Sequence, residues 1–140
     1  MYTLDASVHI NAVNAAEPGS AVSQACIQHL IEEHQALFLP TLLLVELAAA
    51  AARALDDSAP ALELALAVRD LPGQVWVALD DDLAAEAAQL GAEARLRGAD
   101  AVYAAVARRF GATLITRDRQ QLERLATWVP VMTPEELLET

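Results

Sequence analysis

RGADAVYAAVARRFGATLITRD, residues 97–118, decides how the rest of the chain is read. Asp100 opens a run of alanine and valine, Ala101 to Ala107, whose composition favours helix. Gly111 follows Phe110, where a helix end favours a residue that tolerates a left-handed backbone. Thr113 to Thr116 then reads as a short strand, and Asp118 closes it.

The same alternation extends in both directions. Tyr2–Asp5 reads as the first strand and Ser7–Asn14 as a short helix. Glu17-Pro18-Gly19 marks a turn, with Ser20 the expected N-cap of a helix to about Glu33. Ala36–Leu39 is a second strand, and Pro40-Thr41 starts an alanine-rich helix to about Leu55. Asp56 to Pro60 breaks that helix, and another follows to about Asp70. After Pro72-Gly73 come a strand, Val75–Leu79, and a helix from Asp80-Asp81-Asp82 to near Arg97, with negative charge at its favourable end. Gly98 is expected to separate that helix from Ala99–Phe110. A helix from Arg119, a strand Trp128–Met132 and a last turn Pro134–Leu138 complete the chain. Five short strands interleaved with helices predict an α/β fold, a three-layer α/β/α sandwich around a mainly parallel five-stranded sheet. Residues 1–140 read as one domain, large enough to bury roughly 68–70% of its unfolded surface.

Composition narrows the function. Every one of the nine basic residues is arginine. Without lysine, neither a P-loop nor Schiff-base chemistry can be built. The formal net charge of −11 opposes a nucleic-acid partner. Residues 91–124, however, hold seven arginines against four acids. Those arginines either pair with neighbouring acids or form a basic strip. The lone Cys26 excludes an intrachain disulfide, which fits a reducing cytoplasm. No signal peptide is read at the N-terminus. The apolar stretch from Ala36 to Leu55 is interrupted by Pro40, Glu46 and Arg53, so no membrane span is expected.

Four acids stand in awkward places. Asp5 and Asp118 close strands, Asp100 opens a helix, and Glu46 interrupts the apolar run Leu42 to Ala52. Each has an ordinary explanation as a helix cap, a favourable helix-end charge or a solvated strip. In open parallel sheets, however, ligands bind beyond the carboxyl ends of the strands, where all four can meet. Clustered carboxylates need compensation, and hard divalent cations such as Mg²⁺ and Mn²⁺ prefer oxygen ligands.

These residues resemble the PIN-domain ribonucleases, and among them the VapC toxin type. Leu4-Asp5-Ala6-Ser7-Val8 looks like the opening acidic motif, and Val45-Glu46-Leu47 is similar to the helical glutamate. Residues 97–118 are the closest match, joining the third and fourth acidic positions. The resemblance implies Mg²⁺- or Mn²⁺-dependent endoribonuclease activity, with Asp5, Glu46, Asp100 and Asp118 holding metal. It also implies Ser7 and Thr116 as small hydroxyl positions near the site, an RNA substrate, a small antitoxin partner and a homodimer. Ser7 and Thr116 read equally well as capping or strand-end hydrogen bonds. Arg95, Arg97, Arg117 and Arg119 are candidate contacts to the RNA backbone. Gln120 stands where some members carry a further acid.

His9, His29 and His34 are expected at the surface or an interface, and Trp76 and Trp128 in the core. Glu32-Glu33 and Glu135-Glu136 are expected to be solvated. A catalytically weak or inactive binding module of the same fold is the alternative reading. An aspartate-nucleophile phosphatase is disfavoured because Ser7 replaces its second acid and its lysine is absent.

Overall fold

The computed structural model describes residues 1–140. The elements are β1 (Tyr2–Leu4), α1 (Ala6–Val13), α2 (Ser20–Glu32), β2 (Leu37–Pro40), α3 (Leu42–Leu55), α4 (Ser58–Arg69), β3 (Gln74–Val77), α5 (Asp81–Ala94), α6 (Gly98–Phe110), β4 (Thr113–Ile115), α7 (Arg119–Leu125), β5 (Val131–Met132) and α8 (Pro134–Leu138). The strands form one fully parallel sheet in the order β3-β2-β1-β4-β5. Helices cover both faces, giving the three-layer α/β/α architecture predicted from the alternating pattern.

The strand order reverses between β1 and β4. From β1 the chain proceeds toward β2, whereas from β4 it proceeds toward β5. Such a switch point leaves a crevice beyond the carboxyl ends of the two central strands. Ala101, Ala104, Ala105 and Ala107 are all buried, and α6 lies against β1, β2 and β4. With so little side-chain volume between them, helix and sheet approach closely, bringing Asp100 to the sheet edge.

Several boundaries differ from the sequence expectation. Ser20 is not the N-cap of α2; Gly19 is, with φ of 84°, and the Ser20 hydroxyl donates instead to the Ala12 carbonyl at 3.2 Å. The helix expected to reach Arg97 stops at Ala94 because Arg95 turns left-handed, with φ of 57°. Leu96 then packs back on the core, and Gly98 begins α6 rather than separating two helices. β3 ends at Val77, opposite Pro40 at the end of its only neighbour, so Ala78 and Leu79 lie outside the ladder. Trp128 lies before β5, not in it, and is 37% exposed rather than core. Proline at 130 has no N–H for the ladder, so pairing begins at Val131. Trp76 does pack on the core.

His9 is buried, not at the surface. α1 is sandwiched between α2 and α3, leaving His9 4% exposed with Nε2 unpartnered. Burial lowers its pKa to about 4. His29 and His34 are exposed as expected, and Asp57 and Asp80 cap α4 and α5. Glu32 and Glu33 are exposed, but Glu136 completes a capping box with Thr133 and Glu135 pairs with Arg117 at 2.8 Å.

Gly19 carries a testable constraint. A Cβ there would meet the Arg117 guanidinium at 2.9 Å, and the backbone is left-handed. Arg117 cannot yield freely, because Ser23, the Gly19 carbonyl and Glu135 hold it. Gly19→Ala is expected to destabilise the fold by about 1–2 kcal/mol in chemical denaturation.

Candidate active site

Asp5, Glu46, Asp100 and Asp118 line one cleft of about 290 Å³, together with Ser7, Ile10, Arg97, Tyr103 and Gln121. Asp5 follows β1 directly, Glu46 lies in α3, Asp100 in the first turn of α6, and Asp118 beyond β4. A larger groove of about 630 Å³, lined by residues of α1 and α2 from Ala12 to Glu32, is mainly apolar, with Glu32 its only acid.

Asp5 is the deepest of the four, 3% exposed. Its Oδ1 accepts from the Ser7 amide at 3.1 Å and the Ser7 hydroxyl at 2.5 Å. Its Oδ2 accepts from the Thr116 hydroxyl and from Gln121 Nε2, both at 2.6 Å. Burial outweighs these four donors and pushes the carboxyl up to about 6, with nearby Asp100 adding to the effect. Asp5 has no ion-pair partner.

The capping explanations hold alongside the cluster. Asp5 caps α1, and Asp118 caps α7 by accepting from the Gln120 and Gln121 amides at 2.8 and 3.1 Å. One carboxylate ties down a helix end and still faces the cleft. The two hydroxyls brace the same framework. Ser7 accepts from the Arg117 amide at 3.0 Å, and Thr116 accepts from the Asp118 amide at 3.0 Å. Ser7 lines the cleft; Thr116 is completely buried and does not. Thr116 therefore stands beside Asp5 with its hydroxyl consumed within the protein and not exposed to a substrate.

The arginines separate similarly. Arg97 donates to Asp100 Oδ2 at 3.0 Å and also to Asp118, with its side chain 64% exposed. Burial raises the pKa of Asp100, and the Arg97 guanidinium counters it. Arg117 turns inward to Ser23, Gly19 and Glu135, which corrects its reading as a free RNA contact. Arg95 and Arg119 are exposed but do not line the cleft.

No three acidic, histidine or cysteine side chains close on a single point as they stand. Protein donors occupy the intervening positions. Arg97 bridges Asp100 and Asp118, Gln121 bridges Asp5 and Asp100, and the Tyr103 hydroxyl donates to Glu46. Burial and the Glu46 carboxylate raise the Tyr103 pKa, so the phenol stays a donor. The donor set still fits a hard divalent cation. It is all oxygen, it includes a buried acid without a positive partner, and the one guanidinium in the cleft, that of Arg97, is exposed.

Tyr103 and Gln121 were not singled out from sequence. Tyr103 looks like an ordinary core aromatic of α6. Gln121 carried a weak signal, since Asp118-Arg-Gln-Gln121 has the spacing of a capping box. Its side chain reaches across the cleft instead of back to its own cap.

A model of the PIN domain family matches residues 2–127. The chain belongs to the PIN-domain family. Among solved structures, this PIN domain is similar to VapC20 from Mycobacterium tuberculosis, described as a sarcin-ricin loop cleaving toxin. That match has a TM-score of 0.71 and 18% identity, covering 92% of this chain and 96% of that one. It is also similar to PAE2754 from Pyrobaculum aerophilum, with a TM-score of 0.70 and 24% identity over 99% of this chain and 86% of that one. VapBC2 from Rickettsia felis, solved with a promoter DNA fragment, matches with a TM-score of 0.69 and 14% identity over 94% and 97% of the two chains. At these identities the likeness establishes the fold. No curated protein matches in sequence.

Proposed function

We propose that this PIN domain is a Mg²⁺- or Mn²⁺-dependent endoribonuclease, the toxin half of a type II toxin–antitoxin pair acting in the cytoplasm. The observation that carries the reading is the meeting of Asp5, Glu46, Asp100 and Asp118 in one cleft at the carboxyl edge of the sheet. Those four would hold the cation, directly or through water. Bound there, it supplies Lewis acidity toward a phosphodiester and neutralises charge developing on the phosphoryl oxygens.

The remaining work falls to the chain's own side chains. Ser7 and Thr116 orient Asp5 and help keep it ionised despite its burial. Tyr103 holds Glu46 in place. Arg97, exposed beside Asp100 and Asp118, would meet a backbone phosphate. Arg95 and Arg119 extend positive charge outside the cleft. Charge elsewhere on the chain repels RNA, so binding should depend on this local strip and weaken with salt.

A small antitoxin and a second copy of this chain are the proposed partners. A similar solved structure from Klebsiella pneumoniae, described as a toxin–antitoxin complex, supports the first. The alternative, a non-catalytic PIN-fold binding module, draws support from the ion pairs that now occupy Asp100 and Asp118. Incubation of the purified protein with total cellular RNA in Mn²⁺, beside a chelator control, separates the two. Cleavage that requires the cation supports the nuclease; Mn²⁺ binding with intact RNA supports the binding module.

A further inference from the structure

We propose that Gln121 is the positioning residue of this cleft, holding Asp5, Asp100 and Asp118 in the arrangement that receives a divalent cation. The inference rests on the reading of the cleft as a cation site. Gln121 donates to three of the four acids. Its Nε2 reaches Asp5 Oδ2 at 2.6 Å and Asp100 Oδ1 at 3.0 Å, and its main-chain amide reaches Asp118 Oδ1 at 3.1 Å. No other residue touches acids from β1, α6 and the β4–α7 junction together. At 1% exposure, the amide does not exchange these bonds for water.

The chemistry favours this assignment. Hydrogen bonds to ionised carboxylates are about twice as strong as neutral ones, and they favour the anion. The amide orientation follows from its surroundings, because reversal would press Oε1 against two carboxylate oxygens. In the donor orientation Oε1 is buried and no group of the protein donates to it. A buried acceptor without a donor is costly. Gln121 thus acts through its donors, tying and spacing the three anions.

The location explains how one side chain does this. Gln121 is the third residue of α7, whose cap is Asp118. A glutamine there ordinarily folds back to the cap amide. The Asp118 amide is already taken by Thr116, so the Gln121 arm is free to cross the cleft.

The test is calorimetric titration of Mn²⁺ into the full chain and into Gln121→Met, Gln121→Leu and Asp100→Asn, with metal-free melting curves of each. Methionine keeps the length of the arm without its donor, and leucine is the second apolar replacement. The expected result is Mn²⁺ affinity lowered about 10- to 100-fold in a Gln121 variant that still melts cooperatively. Parent-like affinity in the folded Gln121 variants, with binding lost in Asp100→Asn, overturns the positioning role and leaves the cation site intact. Loss of cooperative melting in both apolar variants also overturns it, by making Gln121 a structural residue. Absence of Mn²⁺ binding by the parent chain removes the cation site itself, and this inference with it.

Discussion

Asp100→Asn is expected to abolish RNA cleavage in Mn²⁺ while leaving the fold intact. The loss should be at least about 100-fold, or about 2.7 kcal/mol of transition-state stabilisation. Asp100 is partly exposed and bonded through Arg97 and Gln121, so asparagine can keep part of this pattern in the same volume. What it cannot keep is the charge. Hard cations bind carboxylates far better than neutral amides when only one or two protein carboxylates are used. Arg97 would also lose half of its anchorage, since Asp118 alone would hold it. Cleavage of total RNA by parent and variant side by side, with far-ultraviolet circular dichroism as the folding control, decides the matter. Undiminished cleavage by Asp100→Asn would remove this cleft as the active site.

The second large effect concerns stability rather than rate. Asp5 ionises near 6 in the folded protein against an ordinary value of 3.8. The folded state therefore holds the proton more tightly than the unfolded chain. Its stabilising contribution is complete below about pH 4 and is lost as pH rises through 6, a difference of about 3 kcal/mol. His9 acts in the opposite sense. Burial depresses it from 6.5 to about 4, so the unfolded chain takes up a proton first and stability falls as pH drops through that interval. The two contributions nearly cancel between pH 4 and 6.

Asp5→Asn should uncouple them. In chelator at pH 7.5 the variant is expected to melt no lower than the parent, because a buried, unpaired anion has been removed. The surroundings can adapt, since the Thr116 hydroxyl can rotate to accept from the new N–H group. Lowered from pH 7.5 to 4.5, the variant should lose about 2.5 kcal/mol through His9 acting alone, whereas in the parent Asp5 offsets about 2 kcal/mol of it. Thermal melts across that range in chelator measure both effects. A lower melting temperature for the variant at pH 7.5 would mean that the cap on α1 outweighs the buried charge.

Much of the fold was legible because the signals are local. Apolar patterning, the break at Asp56 to Pro60, the charge of Asp80-Asp81-Asp82 at a helix start and the glycine after Phe110 each act over a few residues, and they indicated the types and order of the elements. Where a boundary was misplaced, a long-range partner had decided it. β3 stops where Pro40 stops on the neighbouring strand, and α5 ends where Leu96 can return to the core. His9 looked polar enough for the surface, yet α2 and α3 close over it from both sides.

The sequence by itself pointed to Asp5, Asp100 and Asp118 at the carboxyl edge of a parallel sheet, because strand ends and helix starts fix where such residues fall, and to Glu46 as an acid within reach of that edge from inside α3. Only the tertiary structure decided what stands between them. Thr116 and Gln121 meet Asp5 across separations of 111 and 116 residues, and Arg97 reaches Asp118 across 21. Local rules cannot see such pairs, because which donor fills the space beside a buried acid depends on how β1, α6 and α7 pack together.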